Sequence, residues 1–98
     1  MAMSQGEVSE RLQQYPGWAL QGDAVGRLFT FPSFADAITF VARLAFDAEA
    51  SDHHPDLLVR YRKVTVTWST HSAGGVTERD FTGIEQANRA AAQLAHIS

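Results

Sequence analysis

Glu49, the run His53-His54-Pro55, His71 and Asp80 are the residues of this chain best equipped for chemistry. Three of the four histidines lie between positions 53 and 71, with one carboxylate before them and another after. Histidine is the side chain whose ordinary pKa lies near neutrality, so a cluster of it points to proton transfer or metal binding.

Two chemistries compete for these residues. Glu49, His53 and His71 could supply a two-histidine, one-carboxylate metal site. The spacing argues against it. The helical patterns His-x3-His and His-Glu-x2-His are absent, and there is no cysteine. Metal-free acid–base catalysis fits better, because two imidazoles can act as acid and base at one pH. Loss of water needs that pair. One group protonates the departing hydroxyl and the other takes a proton from a neighbouring atom.

Position along the chain sharpens the assignment. Glu49 and His53 are four apart, so a helix reaching that far would place them on one face. Pro55 disfavours helix at His54. Neighbours in extended chain point to opposite sides, so His53 and His54 are expected to do different work. His71 should end a strand beside Gly74-Gly75, where loops often carry function. Asp80 is also explained as the third residue of a capping box with Thr77. Tyr61 and Trp68 read as packing residues, and His96 as a solvent-exposed residue near the C-terminus.

The elements that would position these groups are legible from periodicity. Val8, Leu12 and Tyr15 predict a first helix over 6–15, capped by Ser4 and Glu7 and stopped at Pro16-Gly17. Residues 18–21 and 27–31 predict a hairpin, with Gly22-Asp23 and Gly26 as turn residues. Ser33 and Asp36 cap a second helix over 34–51. Its apolar stripe is Phe34, Ala37, Ile38, Val41, Leu44, Ala45 and Ala48, widened by Phe40. Strands are expected at 57–60 and 64–70, around a tight connection at Tyr61-Arg62-Lys63. A last helix is expected from Glu78 to Ala95. The order α-β-β-α-β-β-α groups strands as hairpins. It predicts an α+β fold with a four-stranded antiparallel sheet and helices on one face. The other face must be wet or covered by another subunit.

Composition narrows the function classes. At 98 residues and 45% apolar content the chain is expected to form a single domain over 1–98. Net charge is −3, and Arg60, Arg62 and Lys63 are the only dense positive group. Nucleic acid is therefore not an expected partner. The absence of cysteine removes disulfides and thiol catalysis. Residues 37–46 are the longest apolar stretch, broken by Thr39 and Arg43, and too short to span a membrane. The first residues show no signal-peptide pattern, so a cytoplasmic location is expected.

The set Glu49, His53-His54-Pro55, Tyr61, His71 and Asp80 resembles the signature of the pterin-4a-carbinolamine dehydratase family. The stretches 52–61 and 69–80 look like that family, as do Pro16-Gly17-Trp18 and Phe31-Pro32-Ser33-Phe34. The resemblance implies helices against a four-stranded antiparallel sheet, and dimers that often pair into tetramers. It implies dehydration of 4a-hydroxytetrahydropterin to quinonoid dihydropterin, with no metal or organic cofactor, in recycling after aromatic amino-acid hydroxylation. Carried over, His53, His54 and His71 become the active-site histidines. His53 and His71 would exchange protons with the 4a-hydroxyl and N5, while His54 holds the ring. Glu49, Pro55 and Asp80 would orient imidazoles or bind the pterin. A non-enzymatic dimerisation or assembly partner on the same fold is the alternative.

Overall fold

A computed structural model describes residues 1–94 of the chain. The expected α-β-β-α-β-β-α order is present, as α1 (Gln5–Leu12), β1 (Ala19–Gln21), β2 (Ala24–Thr30), α2 (Phe34–Ser51), β3 (Asp56–Arg60), β4 (Lys63–Trp68) and α3 (Glu78–Ala92). A short 3-10 turn at His71–Ala73 precedes α3. The strands form one antiparallel sheet in the order β1-β2-β4-β3. The two hairpins therefore meet along β2 and β4, which places β4 inside the sheet.

Register decides the faces. Val25 opposes Trp68, Arg27 opposes Val66 and Phe29 opposes Val64. These positions carry the core, and Val25, Phe29, Val64, Val66 and Trp68 are all fully buried. Period-two alternation puts Leu28, Leu58 and Thr65 on the outer face. Leu28 and Leu58 are about half exposed there. The helices supply Leu44, Phe40, Phe81 and Ile84 to the core. Phe40 lies 5.0 Å from both Phe29 and Phe31, ring centre to ring centre. Cutting any of these buried rings to alanine should cost about 3–5 kcal/mol.

The caps come out as local chemistry requires. Ser4 with Glu7, and Thr77 with Asp80, form complete capping boxes, and the Ser33 hydroxyl accepts from the Asp36 N–H. Arg11 on α1 grips Glu78 with two bonds, of 2.6 and 3.2 Å. The hydrogen bond from Arg11 holds the Glu78 carboxyl below its ordinary pKa. Trp18 and Arg27 both donate to Asn88 Oδ1, fastening the first hairpin to α3.

Several expectations are corrected. Gly26 is not a turn residue but lies within β2, opposite Thr67, with the turn confined to Gly22-Asp23. The first helix ends at Leu12, and Tyr15 beyond it donates its hydroxyl to Glu85. The fourth strand ends at Trp68, so His71 belongs to the following turn. The buried stripe of α2 is Ala37, Phe40, Leu44 and Ala48. Phe34 and Ile38 lie on its exposed side, because this helix has more apolar residues than one face can bury. Tyr61 is exposed, with a φ of 55° in the turn between β3 and β4. The third helix closes at Ala92, and His96 lies outside the described residues.

Gly83 of α3 packs tightly against Trp68 of β4. A Cβ built on Gly83 would fall 2.4 Å from the Trp68 ring. Glycine here is a packing requirement, since it lets α3 lie directly on the indole.

Candidate active site

The second helix ends in a left-handed residue, Asp52, at φ 51° and ψ 42°. Aspartate tolerates this conformation better than most residues. The Asp52 N–H donates to Glu49 O and the His53 N–H to Ala48 O, each at 3.2 Å, a Schellman-type ending. Arg79 of α3 closes the same corner by donating to Asp52 O at 2.6 Å. This sharp exit is what separates the two adjacent histidines.

His53 turns inward. Its Nε2 lies 2.6 Å from Asp80 Oδ1, and its ring stacks on Trp68 at 5.4 Å. The His53 side chain is 11% exposed and that of Asp80 is 0% exposed. His54 turns outward, where its Nε2 meets Glu49 Oε1, also at 2.6 Å. Glu49 therefore orients His54. The face shared by Glu49 and His53, expected from their spacing, does not form, because the helix stops at Ser51. Pro55 is half-buried and leads into β3.

Asp80 serves both readings at once. Its Oδ2 accepts from the Thr77 N–H at 2.9 Å, which is the capping contact, while Oδ1 faces His53. His71 comes from the third direction, on the 3-10 turn closed by Gly74 at φ 75°. Its ring is exposed and makes no hydrogen bond among the described residues.

These elements enclose a shallow depression of about 240 Å³, whose wall includes His53, His54, Thr70, His71 and Arg79. The three histidines thus converge on one space, with Asp80 behind the first and Glu49 beside the second. A larger concavity of about 750 Å³ lies on the outer sheet face, among Leu28, Leu58, Tyr61 and the cations Arg60, Arg62 and Lys63. It offers no imidazole and no carboxylate. Among the described residues no group of three or more histidine, aspartate or glutamate side chains is arranged to hold a metal. Glu49 pairs with His54, not with His53.

The sequence reading missed Thr70 and Arg79. Thr70 sits in an alternating hydroxyl run that reads as ordinary strand, and Arg79 as an ordinary helix cation. No local signal marks either.

Residues 1–90 match the family model described as Pterin 4 alpha carbinolamine dehydratase. The chain belongs to the pterin-4-alpha-carbinolamine dehydratase family.

A family relative from Roseiflexus sp. (strain RS-1), named a pterin-4-alpha-carbinolamine dehydratase, is 49% identical over 79 residues, covering 81% of this chain and 85% of its own. One from Picosynechococcus sp., named in the same way, is 47% identical over 75 residues, covering 76% and 82%. The crystal structure of a transcriptional coactivator/pterin dehydratase from Brucella melitensis superposes with a TM-score of 0.88 at 38% identity, over 93% of this chain and 99% of that one. A pterin dehydratase-like protein described as a RuBisCO assembly factor in the alpha-carboxysome shares the fold, with a TM-score of 0.67 at 22% identity, over 79% and 92%. The resemblance read from the histidine signature is thus correct. The dehydratase class read from it holds at the level of the family.

Proposed function

We propose that this protein dehydrates 4a-hydroxytetrahydropterin to quinonoid dihydropterin by metal-free histidine acid–base catalysis, recycling tetrahydropterin in the cytoplasm after aromatic amino-acid hydroxylation. The observation that carries this reading is the convergence of His53, His54 and His71 on one depression, with Asp80 on the buried side of His53. In the reaction the C4a–O bond breaks, the hydroxyl leaves as water with a proton from one imidazole, and another imidazole takes the N5 proton. The C4a=N5 double bond forms from the electrons released. His53 and His71 are the exchanging pair. His54, held by Glu49, braces the pterin ring, and Pro55 sets the direction of the chain at that point.

A stopped-flow ultraviolet assay of 4a-hydroxytetrahydropterin with the wild-type protein, with and without EDTA, tests the reading. Rapid dehydration that is indifferent to EDTA is expected. Loss of activity to the chelator would overturn the metal-free mechanism. No acceleration by correctly folded protein would favour a non-enzymatic assembly role, the kind described for the carboxysome relative that shares this fold.

The proposed assembly is a homodimer or homotetramer. Phe34, Ile38 and Phe46 project from the solvent side of α2, at 51%, 42% and 78% exposure. With Ala42 they form a stripe at intervals of four residues along one helix. An apolar stripe of this kind suits the same helix of a second copy. Phe46→Glu is expected to lower the mass measured by light scattering after size exclusion, with the fold unchanged by circular dichroism. An unchanged mass would place any interface elsewhere.

A further inference from the structure

Behind His53 lies a chain of hydrogen bonds whose donors and acceptors can all be assigned. The Arg79 N–H donates to Thr77 Oγ1 at 3.2 Å. Thr77 Oγ1 lies 2.8 Å from Thr70 Oγ1, and Thr70 Oγ1 lies 2.7 Å from Asp80 Oδ2. Asp80 Oδ1 then meets His53 Nε2 at 2.6 Å. Thr70 is 5% exposed and Asp80 is 0% exposed, so the bond between them is shielded from solvent.

Counting protons gives the direction of the chain. An aspartate carboxylate only accepts, so the single hydroxyl proton of Thr70 points at Asp80. Thr70 therefore offers a lone pair to Thr77, whose own proton points at Thr70. Oδ2 takes two donors, the Thr70 hydroxyl and the Thr77 N–H. The carboxylate is pinned at that end, and its free oxygen is aimed at His53. The donor in the last contact is then Nε2–H, which leaves Nδ1 as the nitrogen of His53 that can exchange a proton.

We infer that Thr70 is a positioning residue: its buried hydroxyl locks the Asp80 carboxylate, which in turn fixes the tautomer and ring orientation of His53. Without that hydroxyl, Asp80 is held by one backbone N–H and can turn about its terminal bond. The ring of His53 keeps its stack on Trp68 but loses a fixed partner for Nε2–H. A threonine selected only for strand propensity would have no such effect, and valine would replace it without loss.

The test is nitrogen-15 and proton NMR of the full chain, for wild type, Thr70→Val and Thr70→Ser, beside dehydration kinetics. In the wild type the neutral His53 ring should carry its proton on Nε2, as a deshielded signal protected from water. Thr70→Val should lose that signal to solvent exchange. Its kcat should fall about ten-fold, the size of one hydrogen bond to a charged group lost at the transition state, with KM within about two-fold. Thr70→Ser, which keeps the hydroxyl, should retain both. A wild-type ring protonated on Nδ1 overturns the inference without any variant. So does a Thr70→Val protein that keeps either the signal or wild-type kcat. If Thr70→Val does not fold, loss of the signal in Thr70→Ser is the overturning result. The kinetic half rests on the proposed dehydratase reading. The NMR half does not, so failure of one is distinguishable from failure of the other.

Discussion

His71→Ala should lower kcat for dehydration of 4a-hydroxytetrahydropterin by about 10²–10⁴-fold, the usual contribution of one acid–base group. His71 is the cleanest of the three histidines to remove. Its ring is exposed and makes no hydrogen bond among the described residues, so truncation leaves no buried group without a partner. The thermal midpoint should therefore stay close to wild type while turnover collapses. His53→Ala is expected to lose as much activity but also some stability. It strips the partner from Oδ1 of Asp80, which is fully buried, and a buried acceptor left unsatisfied is costly. Comparing the two separates chemistry from structure. His54→Ala should cost less kcat and more KM, since His54 and Glu49 pair at the exposed rim. Turnover of His71→Ala within about two-fold of wild type would remove His71 from the exchanging pair, because that lies far below an acid–base contribution.

Gly83→Ala should destabilise the fold by about 1–3 kcal/mol, the range for an overpacked core. The sign runs against helix propensity, which favours alanine over glycine by about 1 kcal/mol inside a helix. Packing wins because the new methyl would sit 2.4 Å from Cε2, 2.5 Å from Cδ2 and 2.7 Å from Cζ2 of Trp68. An indole buried at 0% exposure has no room to retreat, so α3 itself must rise from the sheet. For a domain of this size each kcal/mol lowers the melting midpoint by about 4–8 °C. Gly6→Ala is the control, since a Cβ there meets nothing within 4 Å. It should leave stability unchanged or raise it slightly. Urea melts of the three proteins decide the matter, and a Gly83→Ala midpoint equal to wild type would show that the helix can shift freely. The same substitution bears on function. Trp68 is the floor beneath His53, and Asp80 lies one turn before Gly83 on the same helix. A lifted helix should therefore reduce turnover as well.

Much of this molecule is written locally. The second helix runs from Phe34 to Ser51, as its apolar period and Ser33 cap imply, because those signals act over three or four residues. The hydroxyl–apolar alternation of 63–68 likewise dictates a strand with one buried face. Gly26 was less legible, since a glycine in a strand carries the same local mark as a glycine in a turn, and only its pairing with Thr67 distinguishes them. The histidines and carboxylates of the site stand out by type and spacing, and Pro55 signals that His53 and His54 diverge.

Partnership was a different matter. Spacing along a helix assigned Glu49 to His53, but a left-handed residue at Asp52 intervened and Glu49 went to His54. The true partner of His53, Asp80, lies 27 residues away, and Thr70 reaches the same carboxylate from the segment between β4 and the 3-10 turn. Periodicity reports which face of an element is buried, not which side chain of another element it will meet. Local sequence sets the elements, their order and the histidines and carboxylates that make up the candidate site. Only the packing of α3 across Trp68, permitted by the missing side chain of Gly83, brought Asp80 to His53. That choice depends on contacts between segments far apart in the chain, and those contacts exist only once the core has closed.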